Sequence, residues 1–173
     1  NVNGGTARLI NVGLCLAALD KAMRRPAHLP GLVTFSGPSG WGKSTAAASV
    51  ATLRQAYYVE AKSYWTRKYF LEVVLREMGI APARTIGAMG DQVAEQLTAS
   101  RRPLIIDEFD HLVDRSAVEI VRDLYEGSRA AILLIGEEQL PKKLERWERF
   151  HGRVLDWVQA QPAGLEDAQA LRD

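Results

Sequence analysis

Residues 37–44 read Gly-Pro-Ser-Gly-Trp-Gly-Lys-Ser, a fit to the pattern G-x-x-x-x-G-K-[ST], and no other stretch constrains the fold so strongly. Glycines let backbone N–H groups close around phosphate oxygens, and a helix that starts at the lysine presents its positive end to them. Lys43 is placed to reach the β- and γ-phosphates of a nucleotide, and the Ser44 hydroxyl to ligate Mg²⁺. A chance glycine turn would match the letters but not the surroundings. Here Gly31–Ser36 is a short β-rich run and Lys43 opens a helical run of small residues (STAAASVATL), which is the required context. The expected nucleotide contacts are Gly37, Pro38, Ser39, Gly40, Trp41, Gly42, Lys43, Ser44 and Thr45. Trp41 is unusual inside such a loop; it packs on the surface, or lies against a neighbouring chain or the nucleotide.

A second acidic signal follows at Leu104-Ile-Ile-Asp107-Glu108, where a buried strand leaves a sheet. Two adjacent acids can be plain solvated charge. Beside a phosphate loop they gain roles: Asp107 holds the Mg²⁺ shell, usually through water, and Glu108 orients and polarises an attacking water. An acid at 108 argues for hydrolysis, since a small-molecule kinase has no need of a water-activating group there. Glu108 and Lys43 are thus the expected catalytic pair, with Ser44 and Asp107 the metal residues and ATP the nucleotide.

The rest of the chain frames this site. Apolar runs at 56–60, 103–107, 130–135 and 153–158 read as four further strands. Helical spacing covers 6–24, 64–78, 85–100, 116–127 and 137–150, and a last helix begins at Leu165. Strands alternating with helices give an α/β domain with a five-stranded, mainly parallel sheet flanked by helices. At 173 residues, 47% apolar and 25% charged, the chain has the composition of one globular domain. No apolar run approaches the ~20 residues of a membrane span, so no membrane partner is expected. Cys15 has no second cysteine to pair with, and burial in a reducing cytosol is expected. The chain opens on Asn1 rather than Met and is expected to begin inside a longer protein. His28, His111 and His151 lack metal-ligand spacing. A net charge of +1 names no partner, so any nucleic-acid surface must be a local patch.

One such patch is Lys62-Ser-Tyr-Trp-Thr-Arg-Lys68, three cations among hydroxyls and aromatics. It suits phosphate contacts that hold DNA without reading bases. It suits equally an amphipathic helix start with Tyr64, Trp65 and Tyr69 buried.

With these segments in order, the sequence resembles an AAA+ ATPase of the transposition-targeting type: the B protein of transposable phages and its relatives TniB and TnsC. GPSGWGKST (37–45) and RPLIIDEFDHL (102–112) are shared by very many NTPases. VEAKSYWTRKYFLEVVLREMGI (59–80) and ILLIGEEQLPKKLERWERFHGRV (132–154) narrow the choice. The resemblance implies a P-loop AAA+ core over 1–162 with an N-terminal linker helix, and the start of a truncated helical lid at 163–173. It implies ATP and Mg²⁺ at the interfaces of a homo-oligomer, a helical filament or ring, assembled on duplex DNA. It implies delivery of that DNA to a transposase in a bacterial or phage-infected cytoplasm. Lys62, Tyr64, Arg67 and Lys68 become the DNA contacts, and Arg149, just before Phe150, the arginine finger. The residues alone leave Arg149 an i,i+4 partner of Glu145.

Three departures accompany the likeness. Gly136–Glu137 stands where relatives carry Asn or Thr as the γ-phosphate sensor, and Glu137 is expected to cap the next helix. A sensor arginine from the lid is not seen, nor is the amino-terminal DNA-binding module of the phage proteins. An ATPase of a secretion or envelope system, similar to the ExeA type, and a nucleotide-gated interaction protein with negligible hydrolysis remain the other readings, with a P-loop kinase beyond them.

Overall fold

The computed structural model describes residues 2–162. Its first half runs α1 (Val2–Met23), β1 (Leu32–Ser36), α2 (Lys43–Arg54), β2 (Tyr57–Glu60), α3 (Arg67–Glu77) and α4 (Ile86–Ser100). Its second half runs β3 (Leu104–Asp107), α5 (Asp110–Asp114), α6 (Val118–Ser128), β4 (Ile132–Gly136), α7 (Leu140–Leu144), α8 (Glu148–His151) and β5 (Val154–Gln159). The strands pair in the order β2-β3-β4-β1-β5, and every pairing is parallel.

Strands β1, β3 and β4 are buried along their whole length because both faces of the sheet are covered at its centre. Successive side chains alternate between faces. Leu32, Leu104, Ile106, Ile132 and Leu134 join the core under α3 to α8, while Val33, Phe35, Ile105, Leu133 and Ile135 join the core under α1 and α2. On the first face α4 buries Met89, Val93 and Leu97, four residues apart and so on one stripe. On the second, α2 buries only Ala46, Ala47, Val50 and the lysine at its start, so small side chains let it lie close to the sheet. Beside it α1 buries Cys15, Ala18, Leu19 and Ala22. Burial pushes the Cys15 thiol up to about 12, with the charge of Asp107 adding to the effect, so the thiol is inert. A fork joins the two helices: Arg54 donates Nε to Asp20 Oδ1 at 2.7 Å and Nη2 to Oδ2 at 2.9 Å, which holds the Asp20 carboxyl below the usual range.

Several boundaries differ from the sequence expectation, each for a local reason. Helix α3 starts at Arg67, not Tyr64, because the Thr66 side chain accepts the Tyr69 N–H at 3.0 Å and caps it there. The helix expected over 137–150 is two short ones. Pro141 sits in the first turn of α7, and Trp147, with φ −104° and ψ 73°, leaves helical geometry before α8. Glu137 therefore caps nothing with its side chain; α7 begins after Gln139 with no side-chain cap. The short α5 had no periodic signal long enough to find. The lid segment 163–173 lies outside the described residues.

Candidate active site

Parallel strands bring their carboxyl ends to one side of the sheet, where ligands of open α/β folds sit. The order β3-β4-β1 places only β4 between the strand that ends at Asp107 and the strand that feeds the glycine loop. Two strand spacings, ~10 Å, separate those chain paths. Residues far apart in sequence thus meet across the end of one strand.

In the loop, Gly40 and Gly42 take φ of 85° and 80°, left-handed conformations that L side chains resist. Lys43 is buried and curls back on the loop, its Nζ donating to the carbonyls of Gly37 at 2.7 Å and Pro38 at 2.9 Å. An ammonium has three donors, so one remains for a phosphate oxygen. Ser39, Ser44 and Thr45 are exposed; Pro38 and Trp41 are half-buried, and Trp41 packs against the α1–α2 core.

Across β4, Asp107 is buried and its two oxygens are engaged separately. Oδ2 accepts the Tyr58 hydroxyl at 2.5 Å and Oδ1 accepts the Glu108 N–H at 2.8 Å. Each carboxylate oxygen accepts two bonds, so both retain a lone pair for a metal-bound water. Mg²⁺ is a hard ion that binds oxygen and keeps waters. An exposed serine hydroxyl at the first turn of α2 and a fixed carboxylate therefore fit it. Tyr58 was not expected at the site; nothing in its local sequence distinguishes it from a packed aromatic on a strand.

Glu108 adopts φ 55°, left-handed for a residue that is not glycine. Such strain persists where surroundings over-determine it, here the Phe109 N–H bond to the Ile135 carbonyl at 2.8 Å and the Glu108 N–H bond to Asp107. Burial pushes its carboxyl above the usual range, and the charges of Asp107 and Glu137 push further. A half-buried carboxylate with raised proton affinity suits a base toward water.

The end of β4 is filled by a carboxylate instead of a side chain of its own. Asp110 Oδ2 accepts the Glu137 N–H at 2.9 Å and stands 2.3 Å from where a Cβ on Gly136 would lie. Lys143 Nζ is 3.4 Å from Oδ1, an ion pair without hydrogen-bond geometry. Gly136→Ala is expected to lower stability by about 1–3 kcal/mol, as overpacking does, because buried Asp110 cannot move aside. Urea unfolding checks this, through a lower midpoint at unchanged slope.

At the same end, the loop after β2 carries the cationic patch. Trp65 is buried, but Tyr64 is 69% exposed and Tyr69 leans edge-on against Trp65 at 5.8 Å. Lys62 pairs with Glu60 at 3.1 Å, whereas among the described residues no carboxylate pairs with Arg67 or Lys68. Arg115 joins them, donating Nε to the Ser63 carbonyl at 2.9 Å; sequence reading missed it because it lies 52 positions away.

Arg149 lies on α8, exposed, in a cavity of about 270 Å³ that Arg122, Arg146 and Trp147 also line. Glu119, Glu145 and Glu148 line the same cavity, but among the described residues no carboxylate forms an ion pair with Arg149. Arg153 is committed elsewhere: it bonds Glu126 and the Arg149 carbonyl. Arg146 stands 5.6 Å over the Trp147 ring. Among the described residues, no cluster of three or more His, Cys, Asp or Glu converges as a metal site. No described helix is long and apolar enough to cross a membrane.

Comparison with known proteins bears on this geometry. Residues 26–144 match the family described as AAA domain. No curated protein matches the sequence significantly. Among solved structures, the Aeropyrum pernix Orc1 protein in complex with DNA is 18% identical with a TM-score of 0.66, over 94% of this chain and 47% of that one. Cdc6p of Pyrobaculum aerophilum is 15% identical with a TM-score of 0.63, over 95% of this chain and 48% of that one. The chain thus spans about half the length of the structures it matches. At this identity the likeness is one of fold.

Proposed function

Because this chain belongs to the AAA domain family, we propose that it is an ATPase that binds ATP with Mg²⁺ and acts as an oligomer on duplex DNA in support of a transposase. The observation that carries the reading is the meeting of the glycine loop and the Asp107–Glu108 pair on either side of β4. Amides of the loop and Lys43 bind the phosphates; Ser44 and Asp107 hold the ion. Mg²⁺, when bound, offsets phosphate charge as it develops. Glu108 orients water and takes its proton, while Asp107, fixed by Tyr58 and the Glu108 amide, keeps its place.

The DNA part of the reading is supported by the exposed Tyr64, Arg67 and Lys68 at the same end of the sheet, and by the Orc1 protein of like fold solved with DNA. The transposase part rests on the resemblance of segments 59–80 and 132–154 to the targeting ATPases. In this reading residues 1–162 form the nucleotide-binding core and 163–173 lead into a lid.

ATP hydrolysis measured with and without duplex DNA tests it. DNA is expected to raise the rate; an ATPase of the secretion type would show no response, and a nucleotide-gated protein would retain ATP unhydrolysed. Replacing Lys62, Arg67 and Lys68 together by Ala is expected to weaken binding across sequences and flatten its salt dependence, because fewer counterions are released. Unchanged affinity and salt slope in the folded triple variant would return the loop to a packing role. Strand transfer by a cognate transposase, with and without ATP, tests the last step.

A further inference from the structure

Asn11 is only 1% exposed. A buried amide without partners is costly, so its bonds are informative. Its Nδ2 donates to the Trp41 carbonyl at 2.9 Å and to the Gln161 carbonyl at 2.9 Å; its Oδ1 accepts the Gln161 N–H at 2.7 Å. One side chain therefore joins α1 to the phosphate loop, 30 positions on, and to the segment leaving β5, 150 positions on. Trp41 and Gln161 also line one cavity, of about 190 Å³, beside Gly37 and Pro38.

We infer that Asn11 is a positioning residue for the nucleotide site, fixing the loop from behind and coupling it to the chain that leaves β5. The inference rests on the proposed phosphate-binding role of that loop. Trp41 lies between Gly40 and Gly42, the left-handed glycines of the loop, where the backbone has most freedom to lose. Holding its peptide from α1 orders the loop during folding, so less ordering remains to be done when a nucleotide binds. The amide fits this task because it donates twice and accepts once at the same point. Aspartate could accept from Gln161 but would set a carboxylate against two carbonyls. Linkage is reciprocal: a displacement of 159–161 loosens the loop, and a nucleotide that tightens the loop tightens 159–161.

The test compares Asn11→Ala and Asn11→Asp with Asp20→Ala, which cuts the fork between α1 and α2 away from the loop. Three measurements are made on each chain: equilibrium affinity for a fluorescent ATP analogue, hydrolysis kinetics giving kcat and KM, and amide hydrogen exchange. Asn11→Ala is expected to weaken nucleotide binding and raise KM about tenfold with kcat nearly unchanged. Without nucleotide, exchange should quicken in 37–42 and 159–161 together. Asn11→Asp should do the same or more, while Asp20→Ala binds like the parent.

If folded Asn11→Ala binds ATP like the parent, or if Asp20→Ala loses as much affinity, Asn11 is only a fastening of α1. Exchange that quickens in one segment alone refutes the coupling. Should Asn11→Ala not fold, Asn11→Ser, small and able to accept the Gln161 N–H, is read in the same assays. If the parent chain binds no ATP, the reading of the loop itself fails, and this inference with it.

Discussion

Glu108→Gln is expected to bind ATP and to hydrolyse it ~10²–10⁴-fold more slowly, the range typical of losing a general base. The exchange keeps side-chain length and leaves the left-handed backbone at 108 with the same demand, so the fold is expected to stand. Only proton affinity is removed, and that matters when water attacks rather than when ATP binds. Lys43→Ala is the converse. Its ammonium bonds the Gly37 and Pro38 carbonyls and is the buried positive charge of the loop. Its loss removes ground-state phosphate binding and one brace of the loop at once, so productive ATP binding is expected to vanish. Nucleotide retention and phosphate release, measured on the same preparations, separate the two. Parental hydrolysis by both variants would overturn the assignment of the site.

The second large effect concerns Arg149, whose substitution by Ala is expected to cost ~10³-fold or more in hydrolysis, the scale of an arginine finger. Sequence offered it a helical partner in Glu145, but Glu145 is the C-cap of α7 and Arg149 lies on α8. Among the described residues the two form no ion pair, although both line one cavity. Arg122 pairs with Asp123, Arg146 lies over an indole and Arg153, nearby, is tied to Glu126, which leaves Arg149, among the described residues lining the cavity, the guanidinium without an ion pair or ring contact. A guanidinium is always charged and can bond two phosphoryl oxygens together. Complementation tests the role in trans. Arg149→Ala keeps an intact Lys43–Glu108 site, and Glu108→Gln keeps an intact finger. Mixed with DNA, the two inactive chains should regain partial activity at the interfaces they share. Normal hydrolysis by Arg149→Ala alone, or no recovery while mixed oligomers form, would assign the finger elsewhere.

What sequence made legible follows from how each signal is encoded. The central strands could be read because a sheet covered on both faces demands apolar runs, such as LII and ILLI. The edge strands YYVE and VLDWVQ could be read from β-rich composition. The phosphate loop could be read because one backbone shape dictates glycine at fixed spacing. The family level of the resemblance is met by the AAA domain match, and the narrower transposition type remains the reading proposed above. Contacts made through space left no local mark. Tyr58, Arg115 and Asn11 reach partners 49, 52 and 30 positions away. The glycine at 136 looked like a missing sensor residue, yet its cause is the Asp110 carboxylate that fills the space beside it. The single helix expected over 137–150 failed because periodicity continued across a residue whose backbone does not.

The strand order has a further consequence, for the sequence of events in folding. Central strand β1 pairs with β4, Leu32 opposite Ile132, and with β5, Leu32 opposite Val154. Neither neighbour is local, and no hairpin joins any two strands of this sheet. Closing such long loops precedes any gain from the contacts they permit, which slows folding. During synthesis the strand that feeds the glycine loop precedes the other four described strands, yet it gains its first strand neighbour only once β4 has emerged. Segments 32–36 and 104–107, buried along their whole length in the fold, wait for β4 over that interval. The loop meant for phosphate thus follows a strand that waits for β4 and β5 before it is paired on either side.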